Sequence, residues 1–591
     1  MKTIPNSKFQ IPNTRRGVSI IEALFGIFIF TTAFFALYGV LQFSLQTIGQ
    51  NKARLGAMAL AEEQLEYFRS LPFDSVGVVL GNPSGAIPAT ENITLNGIQY
   101  ARRNAVFWVD DDADDVAPTD TISTDYKQAK VEVSWNFRGA ARSFSAITNI
   151  TPKGLETNVP GGIFKITAFD SGGALAGASV SIFKTGIINV TRFTNALGQW
   201  FEYGIPPGPD YQISVTKPGY GTSRTYGTAE VATPNPGHLT SIDDTVNNIS
   251  FQIDLLSNMN VYMYSPPAAG SWSDTFIDDS KLASLVSMEV LAGELVLANT
   301  LGVYDMSGSA TTTWIAPADL YQWKQFTWTD AMPPGTSLRY RVYYDNGGAA
   351  TLVPDAELPG NAAGFTASPV DLSGLNNGLF GQSNYTRLKA GVVAETGDTA
   401  VTPSVEDWTV TYDTHSPRPN FTFNIRGAKT IGTDGVGAPV YKYNLNPATN
   451  ASGVMATTSI EADIYTISKA SYSIAGACPP HPVTLSPNTS QDVHIDMAST
   501  NAEEILIHVK TAGGANVPNA LVRLYRAAPA FNQTKKAGAY CGQTFWSGIA
   551  PGTVGGGDAY SIDASAPPHT STSTVNNVDV SGYSYIVVTT P

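Results

Sequence analysis

The 591-residue chain is poor in cysteine and in charge. Its two cysteines, Cys478 and Cys541, exclude a scaffold held together by many disulfides. One disulfide and two buried thiols both remain open, because separation in sequence says nothing about distance. Charged residues make up 14% of the chain, its net charge is −14, and no basic cluster follows the first residues. We therefore expect no nucleic-acid-binding surface in the globular part.

Recognisable catalytic motifs are also missing. None of the six histidines has a second metal-ligand type at a useful spacing. The sequence has no G-x-S-x-G, no H-E-x-x-H and no P-loop. His481 follows Cys478 by three residues, but the prolines of "GACPPHP" predict a rigid loop there. We expect that the protein is not an enzyme.

Turn residues and short apolar runs dominate what is present. The chain has 54 glycines and 37 prolines, which separate runs rich in Val, Ile, Tyr and Phe. This pattern is typical of a mostly β protein on a surface or outside the cell. At about 150 residues per domain, the length predicts about four domains.

The N-terminus contains the longest apolar run. Residues 18–41 suffice to span a bilayer, which needs about 20 residues, yet they include one carboxylate, Glu22. The run is too long for a secretory signal peptide, and a plain anchor leaves Glu22 unexplained. Four cations and no acid precede it, so the leader is expected in the cytoplasm and the rest outside: Lys2, Lys8, Arg15 and Arg16.

The stretch "RRGVSIIE" resembles the type III signal of the type IV pilin and pseudopilin family. The resemblance implies a leader, 1–17, that prepilin peptidase removes after Gly17, and N-methylation of the new terminus at Val18. Glu22 is then the fifth mature residue, as in the family. Such a glutamate can pair with the Val18 amine of a neighbouring subunit, which compensates two charges that are each costly in hydrocarbon.

This resemblance implies a minor pilin-like subunit whose partners are prepilin peptidase, the cytoplasmic membrane and other pilin subunits. The precursor lies in the cytoplasmic membrane, and the mature subunit joins an extracellular filament. Two alternatives stay open. One is a pseudopilin of a type II secretion or DNA-uptake system, which a secretion gene neighbourhood would favour. The other is a surface protein that uses the helix only as an anchor, which tolerance of Glu22→Ala would favour.

A helix is predicted over 18–72, where Pro72 stops it. Its second half is amphipathic, with Leu55, Met58, Leu65 and Phe68 on the expected buried face. Residues 73–152 follow as the expected β head of a pilin, with alternating strands.

An acidic run lies within this head. Asp110, Asp112, Asp114 and Asp120 supply oxygen ligands at a spacing that can converge on Ca²⁺. The run lacks the glycine and glutamate of an EF-hand loop, so a solvated acidic turn is the alternative. Calcium is the only cofactor that the sequence suggests.

The remainder predicts a linker and a string of β-sandwich modules. Residues 153–160 are the linker, and 161–256 resemble the carboxypeptidase regulatory-like domain, a small non-catalytic β-sandwich. Weaker copies occupy 414–498 and 499–591, where "GQTFWSGIAPG" parallels "GQWFEYGIPPG". The block 257–413 looks like a larger jelly-roll sandwich.

The predicted fold class is thus mostly β: a long N-terminal pilin helix, a small head and four sandwiches. Tryptophans of the large block are expected in its core rather than in a sugar site: Trp272, Trp323, Trp328 and Trp408. Crowding by so large a head favours a place at or near a filament tip. Adhesion to a surface ligand or carbohydrate is the expected task of the distal modules.

Overall fold

The computed structural model describes residues 19–113, 115, 116, 119, 123–153, 160–376, 383–538, 541–565 and 572–590. Over these residues, one long helix precedes 44 β-strands, which confirms the predicted fold class. The leader 1–17, Val18 and most of the expected linker lie outside the described residues. The chain divides into two compact units: unit 1 holds Met1–Lys217, Thr222–Glu230 and Pro236–Ile253, and unit 2 holds Pro218–Gly221, Val231–Asn235 and Asp254–Pro591.

Unit 1 begins with α1, Ile20–Ser70, which is about 77 Å long at 1.5 Å per residue. The helix ends two residues before Pro72, since a residue that precedes proline favours extended backbone and Leu71 adopts it. Only its second half is buried. Leu65 and Phe68 lie in the core as predicted, but Leu55 is 66% exposed, which contradicts its predicted place on the buried face.

The head packs against α1 as one antiparallel sheet. Its strands are β1 (Thr90–Leu95), β2 (Ile98–Val109), β3 (Tyr126–Phe137) and β4 (Ala140–Ile150), in that spatial order, after a short 3-10 turn at Phe73–Ser75. Residues of β2 and β3 alternate between buried and partly exposed positions. One sheet face is thus available to cover the helix.

The first small sandwich completes unit 1. Its strands form two sheets, β14-β5-β6 with β9 on β5, and β11-β10-β7-β8 with β13 on β10. The strands are β5 (Gly162–Asp170), β6 (Gly173–Ala174), β7 (Ser179–Lys184), β8 (Ile188–Phe193), β9 (Gln199–Ile205), β10 (Gly208–Thr216), β11 (Ser223–Arg224), β13 (Leu239–Ser241) and β14 (Val246–Gln252); β12 (Thr233–Pro234) belongs to unit 2.

A large two-sheet body lies inside unit 2, and it begins after β15 (Ser257–Tyr264). Its sheets are β18-β19-β28-β23-β26, with β16 on β28, and β17-β22-β27-β24-β25. The strands are β16 (Ala268–Asp274), β17 (Leu282–Val286), β18 (Met288–Leu291), β19 (Glu294–Leu297), β20 (Asn299–Thr300), β21 (Val303–Tyr304), β22 (Ser307–Thr312), β23 (Leu320–Ala331), β24 (Thr336–Asn346), β25 (Ala349–Leu352), β26 (Val370–Asp371), β27 (Leu388–Thr396) and β28 (Ser404–Thr414), with a 3-10 turn at Ser373–Leu375.

The strands of the second small sandwich lie before and after the large body in the sequence. β15 pairs in parallel with β37 and antiparallel with β33, so the predicted boundary at residue 257 is wrong. The strand completes a sheet whose other members come about 200 residues later. The remaining strands are β29 (Asn424–Gly427), β30 (Thr430–Thr433), β31 (Pro439–Tyr441), β32 (Asn444–Leu445), β33 (Val454–Ile460), β34 (Asp463–Ser468), β35 (Tyr472–Cys478), β36 (Val483–Leu485) and β37 (Ser490–Ser499).

The third small sandwich has sheets β41-β38-β44 and β40-β39-β42-β43. Its strands are β38 (Glu503–Thr511), β39 (Leu521–Arg526), β40 (Phe531–Lys536), β41 (Gln543–Ser547), β42 (Tyr560–Ser565), β43 (Thr572–Val578) and β44 (Gly582–Thr590). One pairing recurs in all three small sandwiches. The first strand pairs in parallel with the last and antiparallel with a middle one: β5 with β14 and β9, β15 with β37 and β33, β38 with β44 and β41.

Candidate functional site

The first half of α1 presents an apolar surface on every side. Its mean hydropathy reaches 2.2 over an 18-residue window, and the helix is long enough to cross a membrane. Seventeen large apolar side chains here are more than half exposed: Ile20, Ile21, Leu24, Phe25, Ile27, Phe28, Ile29, Phe30, Phe34, Phe35, Leu37, Tyr38, Val40, Leu41, Phe43, Leu45 and Ile48. Burying each such side chain contributes about 1.5–3 kcal/mol, so this surface favours a bilayer or neighbouring helices over water.

Glu22 lies in the first turn of α1, exposed amid this apolar surface. Among the described residues it has no ion-pair partner. Gly17 and Val18, the predicted cleavage and methylation positions, lie outside the described residues. A carboxylate surrounded by apolar side chains costs a few kcal/mol in hydrocarbon unless a cation meets it.

Small residues hold the second half of α1 close to the head. Ala53, Ala57 and Ala61 are fully buried against the sheet. Gly56 allows the closest approach: a Cβ there would lie 2.6 Å from the Tyr100 hydroxyl. That hydroxyl donates a hydrogen bond of 2.9 Å to the carbonyl of Ala53. The apolar pattern of the sequence predicted the larger Leu55 and Met58 on this face and did not indicate the alanine stripe.

A buried lysine closes the base of the head. The Lys127 ammonium donates to the carbonyls of Phe73 and Val76 at 2.8 and 2.9 Å. It also lies 4.7 Å from the ring centroids of Phe73 and Trp108. Burial lowers the pKa of Lys127 to about 8. This lysine therefore fixes the turn that connects the helix to the sheet.

A buried ion pair joins the first small sandwich to the head. The Arg192 guanidinium donates to both carboxylate oxygens of Glu202 at 2.9 Å, and both side chains are about 95% buried. Glu202 also accepts from the Trp200 indole at 2.7 Å and from the Asn82 side-chain amide at 3.1 Å. Asn82 belongs to the head, and the Phe107 ring of β2 lies 4.4 Å from the guanidinium. Sequence reasoning missed this network, whose members lie up to 120 residues apart.

The acidic run gives no metal site that the described residues can support. Asp110 and Asp112 are described, whereas Asp114 and Asp120 are not. Within the described part of the chain, no group of three His, Cys, Asp or Glu side chains converges to hold an ion. Burial, reinforced by the Asp110 carboxylate, raises the pKa of Tyr203.

A disulfide between Cys478 and Cys541 connects the second and third small sandwiches of unit 2. Their Cα atoms are 5.7 Å apart. The backbone N–H of Ala477 donates to the Gln543 side chain at 2.8 Å beside the bond. These contacts fix two successive modules to each other.

Histidines and tyrosines stack where the large body meets the second small sandwich. His415 Nε2 lies 2.6 Å from Asp496 Oδ1, and its ring stacks on Tyr264 at 4.1 Å. Tyr262 stacks on His494 at 4.5 Å, and burial lowers the pKa of His494 to about 4. A cleft of about 510 Å³ opens beside this stack. The contacts are those of a packed joint.

The tryptophans of the large body lie where the sequence predicted. Trp323 and Trp408 are fully buried and Trp328 is 8% exposed, all within one core. Trp272 is partly buried and packs against that core. The three buried indoles therefore offer no open face to a sugar, and Trp272 is only partly exposed.

Comparison with known proteins gives no family. No protein-family model matches the chain, and no curated protein matches it in sequence. Solved structures with some similarity include the TIE protein of Bacillus anthracis, which is 8% identical over 85% of this chain and 72% of that one, with a TM-score of 0.14.

Two other similar structures are pilin subunits. BcpA, the major pilin subunit of Bacillus cereus, is 13% identical over 73% of this chain and 100% of that one, with a TM-score of 0.13. The major pilin RrgB of Streptococcus pneumoniae is 9% identical over 72% of this chain and 99% of that one, with a TM-score of 0.12. Similarity at this level shows neither a family nor a function for this chain.

Proposed function

We propose that the protein is a large minor type IV pilin-like subunit. Prepilin peptidase cleaves it after Gly17, Val18 is N-methylated, and α1 inserts into the core of a surface filament. The observation that carries the proposal is the division of α1 into an exposed apolar half and a half buried in the head. The prepilin-like stretch before Glu22 supplies the processing signal.

The two halves of α1 do different work in assembly. The exposed half lies in the cytoplasmic membrane first and then packs against the helices of other subunits, which removes the same apolar surface from water or lipid. The buried half packs against the head and so holds the head in a fixed place relative to the filament core. Glu22 meets the Val18 amine of a neighbouring subunit, and this pairing offsets the cost of each isolated charge.

The distal modules are the adhesive part of this subunit. The chain continues for more than 400 residues beyond the head, as three small sandwiches and one large body. A uniform array would have to accommodate this mass at every position, so a place at or near the tip suits the subunit best.

The first test is the N-terminus of the protein in material sheared from cells, with a prepilin-peptidase deletion strain in parallel. Mass spectrometry should find N-methylated Val18, and the sheared form should be absent from the deletion strain. An intact Met1 in both strains would make the protein an ordinary membrane-anchored surface protein.

Glu22 provides a separate test. We expect Glu22→Ala to leave membrane insertion intact but to reduce the sheared fraction at least tenfold, because the neighbour's amine loses its partner. Glu63→Ala is the matched control, since Glu63 is exposed on the same helix outside the apolar half. Equal shearing of both variants would contradict the role of Glu22.

A further inference from the structure

The outer face of one sheet of the large body is cationic. Side chains alternate along β24, so Leu338, Tyr340 and Val342 point into the core while their neighbours point outward. The carboxylate of Glu395 lies on this outward face beside Ser337. Four cations and one tyrosine occupy the rest of the face and its end: Arg339, Arg341, Tyr343, Arg387 and Lys389. We define these five residues as the cationic face. It contrasts with a chain whose net charge is −14.

Two of these cations are already engaged. Arg387 forms an ion pair with Asp345 at 2.7 Å. Arg387 and Lys389 each lie 4.8 Å from the ring centroid of Trp314. This end of the cationic face is therefore neutralised in part by the chain's own carboxylate.

Arg339 and Arg341 are not engaged in this way. Within the parts of the chain that the structure covers, neither guanidinium has an ion-pair or hydrogen-bond partner. The Nε of Arg341 is buried without an acceptor. A surface ligand does not reach this buried nitrogen, but Arg339 is exposed and Arg341 is partly exposed, so both side chains are open to a ligand on this face. The two residues are next-nearest neighbours on one strand, about 7 Å apart.

The surface beside this pair carries an aromatic ring. Arg341 lies opposite Gly391 and Arg339 opposite Val393 on β27. The Tyr343 ring leans over Gly391, where an added Cβ would lie 2.8 Å from the ring. Ser309 and Thr311 continue the same rows on β22 and present hydroxyl groups.

We propose that the cationic face binds an acidic polysaccharide. Each guanidinium can form two parallel hydrogen bonds with a carboxylate or sulfate group. The Tyr343 ring offers an apolar platform for the C–H face of a sugar ring, and the hydroxyls of β22 can bond to sugar hydroxyls. Nucleic acid fits less well, because affinity for a phosphate backbone grows with the number of cations and only two here lack a partner.

The test uses the purified full-length chain in detergent. Biolayer interferometry measures its binding to immobilised polygalacturonate, heparin, neutral dextran and a single-stranded DNA 20-mer. We expect binding to polygalacturonate or heparin that weakens as salt increases, and no binding to dextran. The heparin and polygalacturonate arms show whether sulfate or carboxylate is preferred.

Variants assign the binding to this face. Arg339→Gln/Arg341→Gln should reduce affinity at least tenfold, and Gly391→Val, which displaces the Tyr343 ring, at least threefold. Arg224→Gln is the control, since Arg224 is exposed and lies outside unit 2. Circular dichroism checks that each variant is folded.

Several results would overturn the proposal: no binding to either acidic polysaccharide, equal binding to dextran, tighter binding to DNA, or unchanged affinity of the double arginine variant. The measurement needs no filament. Its failure would therefore leave the assembly proposal intact, and a failure of assembly would leave this binding untouched.

Discussion

The ion pair between Arg192 and Glu202 gives the sharpest test of how unit 1 is held together. Glu202→Gln keeps the size of the side chain and leaves the Arg192 cation buried without its counter-charge. Removing one partner of a buried pair typically costs about 3–5 kcal/mol. Asn82 and Trp200 donate to different oxygens of Glu202, so the glutamine amide keeps an acceptor for only one of them, and this lost hydrogen bond adds to the cost of the unpaired charge.

Hydrogen–deuterium exchange of the amides in β8 and β9 measures this loss locally, which a multi-domain chain requires. Glu202→Gln should lower their opening free energy by about 3 kcal/mol or more. The double variant Arg192→Met/Glu202→Leu should recover at least half of that, because it leaves no buried charge. Glu230→Gln is the control, since the Arg224–Glu230 pair is almost half exposed and should contribute less than about 1 kcal/mol. A loss below about 1 kcal/mol for Glu202→Gln would refute the reasoning.

Three further predictions concern the joints of the molecule. Gly56→Val should displace the Tyr100 hydroxyl and lower the free energy of head unfolding by about 1–3 kcal/mol, measured as a lower urea midpoint. An unchanged midpoint would contradict the close approach. Cys478→Ser/Cys541→Ser should destabilise unit 2 by about 4 kcal/mol through loop entropy, measured against reduced wild type as the matching control. Urea unfolding should show head stability rising from pH 8 to pH 10, because the folded head binds fewer protons at Lys127 than the unfolded chain does; Lys127→Met should abolish the rise.

Local sequence patterns predicted the helix and strands of this protein better than the contacts between them. The apolar run and Pro72 were enough to place α1 to within two residues at each end. Alternation predicted the head strands around Val131 and Val133. The buried face of α1 was only partly predictable. The helix lies so close to the sheet that the small Ala53 and Ala57 are buried there, whereas the larger Leu55 is exposed.

Long-range pairings had no local signal. Nothing in the sequence near Glu202 indicates that Asn82, 120 residues earlier, donates to it. The pairing of β15 with β37 also had no local signal, since both strands show ordinary alternation that suits many partners. The candidate processing site rests wholly on sequence, because Gly17 and Val18 lie outside the described residues.

The insertion of the large body between β15 and the rest of its sandwich affects the order in which the chain folds. β15 precedes the large body in the chain, but the partner of Asn260 on β37, Asp492, comes only 232 residues later. Pairing of β16 with β28 brings together residues 146 positions apart and shortens that loop, which lowers its closure cost by about 0.9 kcal/mol.

The large body is therefore expected to fold before the second small sandwich, although β15 of that sandwich precedes it in the sequence. Until then, the apolar side chains of Met259, Val261 and Met263 have no sheet to enter. A mutation that only slows folding of the large body would leave this strand open to pairing with other chains. Its phenotype would be loss of folded protein, even where every binding residue is intact.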